Sequence, residues 1–202
     1  MINSDQRIKQ NIKNLNDSLV DKFDQIEPIQ FNYKDVHKNG YGINYGFIAQ
    51  QLEEIDPNLV NKNSIPQFIP NIYQGAKNIK KNNNKVAFEV VVTEKINMND
   101  RLKIYYIKND KEHNCEVLIN HIDYMDDYIR ITTQFDDTFD NNQLFIYGTK
   151  VNDVKSVSMM NVIGLLTSVI KSNREEMKSM KNDIKELKEI IYKSKIYNEQ
   201  NS

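Results

Sequence analysis

The chain has 202 residues, a hydrophobic fraction of 39% and a formal net charge of -1. This suits one domain, or one domain with an appended helix, and excludes an overall field that would draw in nucleic acid or an anionic membrane. A lone cysteine, Cys115, excludes an internal disulfide, and the longest apolar run, 161–170, is too short to span a bilayer.

Met1-Ile2-Asn3 leads straight into polar sequence, with no signal-peptide pattern. Residues 4–15 place Ile8, Ile12 and Leu15 among many Asn and Lys, a pattern compatible with either a helix or an extended segment. From Asn16 the pattern firms. Asn16 or Asp17 supplies a cap, and Leu19, Val20, Phe23 and Ile26 make one helical face that Pro28 ends. Residues 29–33 alternate and read as a strand, 39–42 as a turn, and a second strand enters Gly46-Phe47. A short helix is expected over 49–55, broken by Asp56-Pro57-Asn58.

Residues 61–85 read as loop, with Pro66, Pro70, Gly75 and a polar run from Lys77. After it the period becomes two. Strands are expected at 86–93, 101–108, 116–122, 128–135 and 143–148, each rich in Val, Ile, Tyr or Thr and bounded by Asn and Asp. Such spacing suggests a small β-barrel or sandwich. From Met159 the period changes again. Ile163, Ile170, Met177, Ile184 and Ile191 form one series, and Met159, Leu166, Asn173, Met180 and Leu187 the other. This is a heptad repeat flanked by charge, the narrow stripe of a coiled coil between chains rather than the wide face of a packed helix. Asn173 interrupts the seam, as a residue fixing register and oligomer state does. By rule the mix of Ile and Leu suits a parallel dimer. The tail after Tyr197 is expected to fray.

Two blocks carry the chemistry. Ser4-Asp5-Gln6-Arg7-Ile8-Lys9 pairs a hydroxyl with an amine, and Tyr45-Gly46-Phe47-Ile48-Ala49-Gln50-Gln51-Leu52-Glu53 follows about forty residues on. In this order and spacing they resemble the intramolecular chaperone domain of phage endosialidases, the peptidase S74 family. The resemblance covers 4 to about 60 and returns from Tyr147 to Asp153, which looks like the joint into the terminal helix of S74 domains in large DNA viruses. It implies a homotrimer in place of the dimer and an upstream fibre or spike polypeptide as client. It also implies self-release in front of a serine, with location in the host cytoplasm during assembly or on the virion.

The matching dyad is Ser4 as nucleophile and Lys9 as base, with the scissile bond Asn3–Ser4. A serine needs a base, and a lysine serves only when neutral, which burial at an oligomeric interface would favour. Residues five apart lie about 140° apart on a helix and on opposite faces of a strand. So either the backbone kinks, or Lys9 acts on a neighbouring subunit's Ser4. Asp5 is expected to cap and Arg7 to make a salt bridge. The amides near Gly46 offer an oxyanion role, although a plain turn explains this glycine too. Ser-Asp is also an ordinary N-cap, and Lys9 an ordinary solvated side chain. The family's chaperone follows a long fibre or enzyme, whereas here Met1-Ile2-Asn3 precede the nucleophile. A standing-alone copy would be a trimeric attachment or trimerisation module with a vestigial cleavage site.

The histidines His37, His113 and His121 belong to no hydrolase motif, and with Cys115 they lack ligand spacing, so neither metal nor cofactor is expected. His113 and Cys115 read as exposed. Gly40-Tyr41-Gly42 is not a phosphate loop. Tyr105, Tyr106, Tyr124 and Tyr128 suggest half-buried strand residues or a receptor or glycan surface. The myelin-regulatory type of self-cleaving factor would add a DNA-binding domain and a membrane helix, and neither pattern occurs. The expected architecture is α+β: a chaperone core over 1–84, a β-rich, barrel-like insertion over 85–150, a trimerisation helix over 151–197 and a tail over 198–202.

Overall fold

Alternating apolar residues fill the middle of the chain, and they build a sheet. A computed structural model describes residues 5–15, 21–62, 65–140 and 143–200, with side chains as far as residue 194. The chain is α+β and forms two compact units. One comprises Met1–Pro28, Phe47–Asn61 and Val157–Ser202, and the other Ile29–Gly46 and Lys62–Ser156.

The second unit opens with a hairpin. Strand β1 (Ile29–Phe31) pairs antiparallel with β2 (Asn44–Gly46), and a short helix α1 (Val36–Asn39) lies between them. Its sheet follows the order β4 (Gln67–Phe68), β11 (Leu144–Val151), β8 (Arg101–Lys108), β9 (Lys111–Tyr124), β10 (Ile129–Gln134), β7 (Lys85–Val90) and β6 (Lys77–Asn82). Strand β5 (Gln74–Gly75) also pairs with β11. In β8, β10 and β11 buried and half-exposed residues alternate, so one face turns inward. Phe88, Leu102, Ile104, Ile119, Ile131 and Ile146 are buried there, with Ile96, Phe135 and Phe139 closing the cluster. Bulges at Thr132/Thr133 and Ile146/Gly148 interrupt the ladders, and such bulges increase local twist. The result is a half-barrel around its own core. Asn109 and Asp110 both take positive φ in the two-residue turn from β8 to β9, the backbone that a tight hairpin demands.

Residues 61–85, expected as loop, hold β4, β5 and β6. The short β4 and β5 contribute two residues each to β11, too few to show a period. Strand β6 is an edge strand in which Lys and Asn replace the apolar partners a period-two reading seeks. The strand expected at 143–148 runs on to Val151 as β11, into the stretch expected as the joint to the terminal helix.

In the first unit the described part of the expected N-terminal face is not α-helical. Asp21–Gln25 is a 3-10 turn rather than an α-helix, and residues 16–20 lie outside the described residues. Phe23 and Ile26 still pack against the buried Leu52, Leu59, Val60, Val162 and Leu165. Helix α2 (Ala49–Ile55) ends where Asp56 accepts from the Asn58 amide at 2.9 Å and Pro57 begins the next 3-10 turn. Strands β3 (Val60–Lys62) and β12 (Lys155–Val157) pair, and helix α3 (Met159–Gln200) follows.

Candidate functional site

Ser4 and the Asn3–Ser4 bond lie outside the described residues, so the geometry of the dyad begins at Asp5. Asp5 caps a 3-10 turn, Gln6–Ile8. Its carboxylate accepts from the Arg7 amide at 2.8 Å and from the Arg7 guanidinium at 2.6 Å. The guanidinium holds the Asp5 carboxyl below its ordinary range. This pair is exposed and so contributes little to stability. Lys9 ends the turn in extended backbone (φ -113, ψ 148), its amide donating to the Gln6 carbonyl at 3.1 Å, and it is exposed in the single chain.

Gly46 is a strand residue, not a turn. It pairs with Ile29, and a Cβ there would sit 3.3 Å from the Phe31 ring. The glycine therefore lets the ring lie against the neighbouring strand. After Gly46 the block enters the first unit, where Phe47 and Ala49 pack on the core and Leu52 is buried.

Helix α3 carries two apolar stripes. Val162 and Leu165 are buried in the core of the first unit, and Val169 is buried one turn further on. Over these first turns the heptad seam lies on an adjacent face, roughly 100° round the helix. Its residues Met159, Ile163, Leu166, Ile170, Met177, Met180, Ile184, Leu187 and Ile191 are between 39% and 57% exposed. From Ile170 to Ser194 every side chain is exposed. Among the described residues no helix is long and apolar enough to cross a membrane.

The second unit brings together residues that the sequence reading did not connect. Asp35 is a buried carboxylate (8% exposed) that caps α1. It accepts from the Lys38 amide at 3.1 Å, from the Tyr73 hydroxyl at 3.1 Å and from the Tyr147 hydroxyl at 3.0 Å. Burial pushes its pKa up, but the Lys38 amide and the two hydroxyls outweigh that, and the net shift is downward. Burial and the Asp35 bond push Tyr147 up to about 12, and Tyr73 moves up for the same reasons. Tyr147 sits at the Ile146/Gly148 bulge. Behind it Gly148 takes φ +156, and a Cβ there would lie 2.0 Å from the Ile69 carbonyl oxygen. Asn71 clamps the next residue: Thr149 N–H donates to Asn71 Oδ1 at 2.9 Å, and Asn71 Nδ2 donates to Thr149 Oγ1 at 2.9 Å. Around these residues lies a cleft of about 940 Å³, with Phe68, Tyr105, Phe145 and Lys103 in its lining.

Of the tyrosines singled out in the sequence, Tyr105 lines this cleft. Tyr106 is buried, its hydroxyl donating to Asp137 at 2.8 Å; burial and that bond push it up to about 12. Cys115, expected at the surface, packs against the sheet core, where burial pushes the thiol up to about 11. It sits there because its strand position alternates inward. His113 is exposed and stacks on Tyr106. No sequence signal marked Asp35, because a lone Asp between Lys34 and Val36 matches no motif and its partners lie far along the chain.

Comparison with known proteins matches residues 4–61 to the family model of the chaperone of endosialidase, Peptidase_S74. The family resemblance is thus shown over the stretch that starts at the serine of the first block and ends just past α2. A curated viral protein is also similar. It is described as the uncharacterized protein VP1 of Micromonas pusilla reovirus (isolate Netherlands/2005), 38% identical over 78 residues. That match takes in 38% of this chain and only 4% of the viral protein's length.

Proposed function

We propose that the chain is the intramolecular chaperone of a viral fibre-type protein. It promotes homotrimerisation of an upstream client and releases itself by cutting Asn3–Ser4. The observation that carries this is the chaperone-of-endosialidase match over residues 4–61, which starts at Ser4. The exposed seam of α3 supports the oligomer, because a helix with this much uncovered apolar surface is stabilised by partners. We assign Ser4 as nucleophile and Lys9 as base. Ser4 Oγ gives its proton to the neutral Lys9 amine and attacks the Asn3 carbonyl. The peptide C–N bond breaks, the Ser4 nitrogen takes the proton, and water hydrolyses the ester. Lys9 is exposed in the single chain, so the burial that favours its neutral form must come from neighbouring subunits. That makes cleavage conditional on assembly.

The same exposure favours a second reading, a trimerisation or attachment module without cleavage. Intact mass separates the two. The chain is expressed with a long N-terminal extension, beside its Ser4→Ala and Lys9→Ala variants. A wild-type product starting at Ser4, with both variants intact, is the expected result. An intact wild type that sediments as a trimer sinks the dyad and leaves the module. Mixed Ser4→Ala and Lys9→Ala trimers that regain cleavage place Lys9 in trans.

A further inference from the structure

The first unit carries a groove and, apart from it, a segment that suits it. The groove has a volume of about 310 Å³. Phe47, Ile48 and Ile55 line it beside the buried Leu52. Exposed Glu27 and Glu54 line it too, and among the described residues no lysine or arginine does. An apolar floor with an acidic rim fits an apolar side chain that brings a cation beside it.

Such side chains occur in the 5–15 segment. Every residue from Asp5 to Leu15 is exposed, Ile12 at 62% and Leu15 at 46%. Residues 12–15 belong to no helix or strand. One exposed isoleucine is ordinary, but Ile8, Ile12 and Leu15 recur within a single stretch of which no residue is buried. The segment also holds three cations, Arg7, Lys9 and Lys13, against one carboxylate, Asp5, which Arg7 engages. Its excess charge is thus opposite in sign to the groove's. Lys13 lies between Ile12 and Leu15, so apolar anchors and cation arrive together.

The occupant is a second copy. In the single chain the segment and the groove are both present, yet Ile12 and Leu15 stay exposed and the groove stays open. The groove is also built on the core that holds Val162 and Leu165, the first turns of the helix whose seam is exposed. Copies that join along α3 therefore bring their first units, with groove and segment, together.

We propose that residues 12–15 of one copy dock in the groove of another, with Ile12 and Leu15 on Phe47, Ile48 and Ile55, and Lys13 against Glu27 and Glu54. This rests on the oligomer of the reading above and not on cleavage. Lys9 stays outside the groove, away from carboxylates that would favour its charged form.

The test uses the full-length Ser4→Ala chain, so that the protein stays whole, as a mixture of unlabelled and isotope-labelled copies. A carbodiimide joins an amine to a carboxylate only where the two meet. Mass spectrometry should find Lys13 linked to Glu27 or Glu54 in peptides that pair one light with one heavy partner. Ile12→Ser with Leu15→Ser should weaken association by about tenfold or more in sedimentation equilibrium, with the melting of the sheet unchanged. Lys13→Glu should weaken it several-fold, and adding Glu54→Lys should restore most of the loss. Linked peptides of uniform label alone put the segment in its own chain's groove and overturn the proposal. So does an association that the paired serine substitutions leave untouched. An oligomer in which neither link forms overturns the docking and leaves the seam reading standing, whereas a chain that stays monomeric overturns both.

Discussion

Phe88 in β7 and Ile184 in α3 are both large apolar side chains on regular elements, yet the first is fully buried and the second is 52% exposed. Phe88 sits in a sheet that curls round its own core and needs nothing further. Ile184 belongs to a seam left exposed among the described residues. Full burial of such a side chain contributes roughly 1.5–3 kcal/mol relative to full exposure. Half-exposed residues recurring every three or four positions therefore leave several kcal/mol ungained in the single chain. The same polypeptide thus holds one region whose apolar residues are buried in its own core and one whose apolar seam stays exposed in the single chain.

Breaking the seam should have the largest effect. Met177→Asp with Ile184→Asp places charge at its centre and is expected to abolish oligomers in sedimentation velocity. Helical ellipticity at 222 nm should fall with it, while the melting of the sheet stays in place. Phe88→Ala tests the other side. It should cost about 3–5 kcal/mol in the sheet transition and leave oligomeric state untouched. A loss of oligomers with Phe88→Ala would show that the two regions are not independent.

Asp35→Ala should cost about 3 kcal/mol, since it leaves the Tyr73 and Tyr147 hydroxyls without their acceptor. Tyr147→Phe should cost about 1 kcal/mol. Both are read as sheet melting against urea, and an Asp35→Ala effect below that of Tyr147→Phe would sink the latch.

The pH dependence sharpens the contrast with smaller effects. Asp35 is held below its ordinary value, and Asp137 down to about 2 by Lys108 and Tyr106. Lowered carboxyl values mean stability that is present above the unfolded value, about 4, and lost as pH falls through the folded values. Tyr147 and Tyr106 are pushed up to about 12. Their contribution is complete below the unfolded value, about 10, and is lost as pH rises towards 12. Sheet melting should therefore weaken at both extremes, and Tyr147→Phe should shrink the alkaline loss. Helix association has no such tyrosine latch and should lack that alkaline step at matched ionic strength.

The regular parts of the fold were legible because each carries a clean period. Strand β8 falls at 101–108 as expected, and α2 at 49–55, where Asp56-Pro57 marks the stop. Helix α3 was legible as a seam, but its second stripe, Val162, Leu165 and Val169, was not separated from it. Those residues occupy only the first turns, where both patterns overlap. Strands β4 to β6 were missed because two-residue pairings carry no period and a lysine-rich edge looks like loop. The Asp35 cluster was invisible for a different reason. Hydrogen bonds between distant residues leave no local spacing, so the strand expected at 143–148 placed Tyr147 without revealing its partner. The N-terminal dyad was expected from motif and resemblance alone, and Ser4 itself lies outside the described residues.

Asp35 and Tyr147 are joined across 112 positions of sequence. A ribosome adding about 5–20 residues per second delivers the hydroxyl on the order of ten seconds after the carboxylate. The first unit waits longer still, because Leu52 and Leu59 are made early while Val162 and Leu165 emerge near the end. Neither unit can close until most of the chain has left the ribosome. Synthesis order thus acts as a clock: the residues of each unit that are made first wait longest for their surroundings.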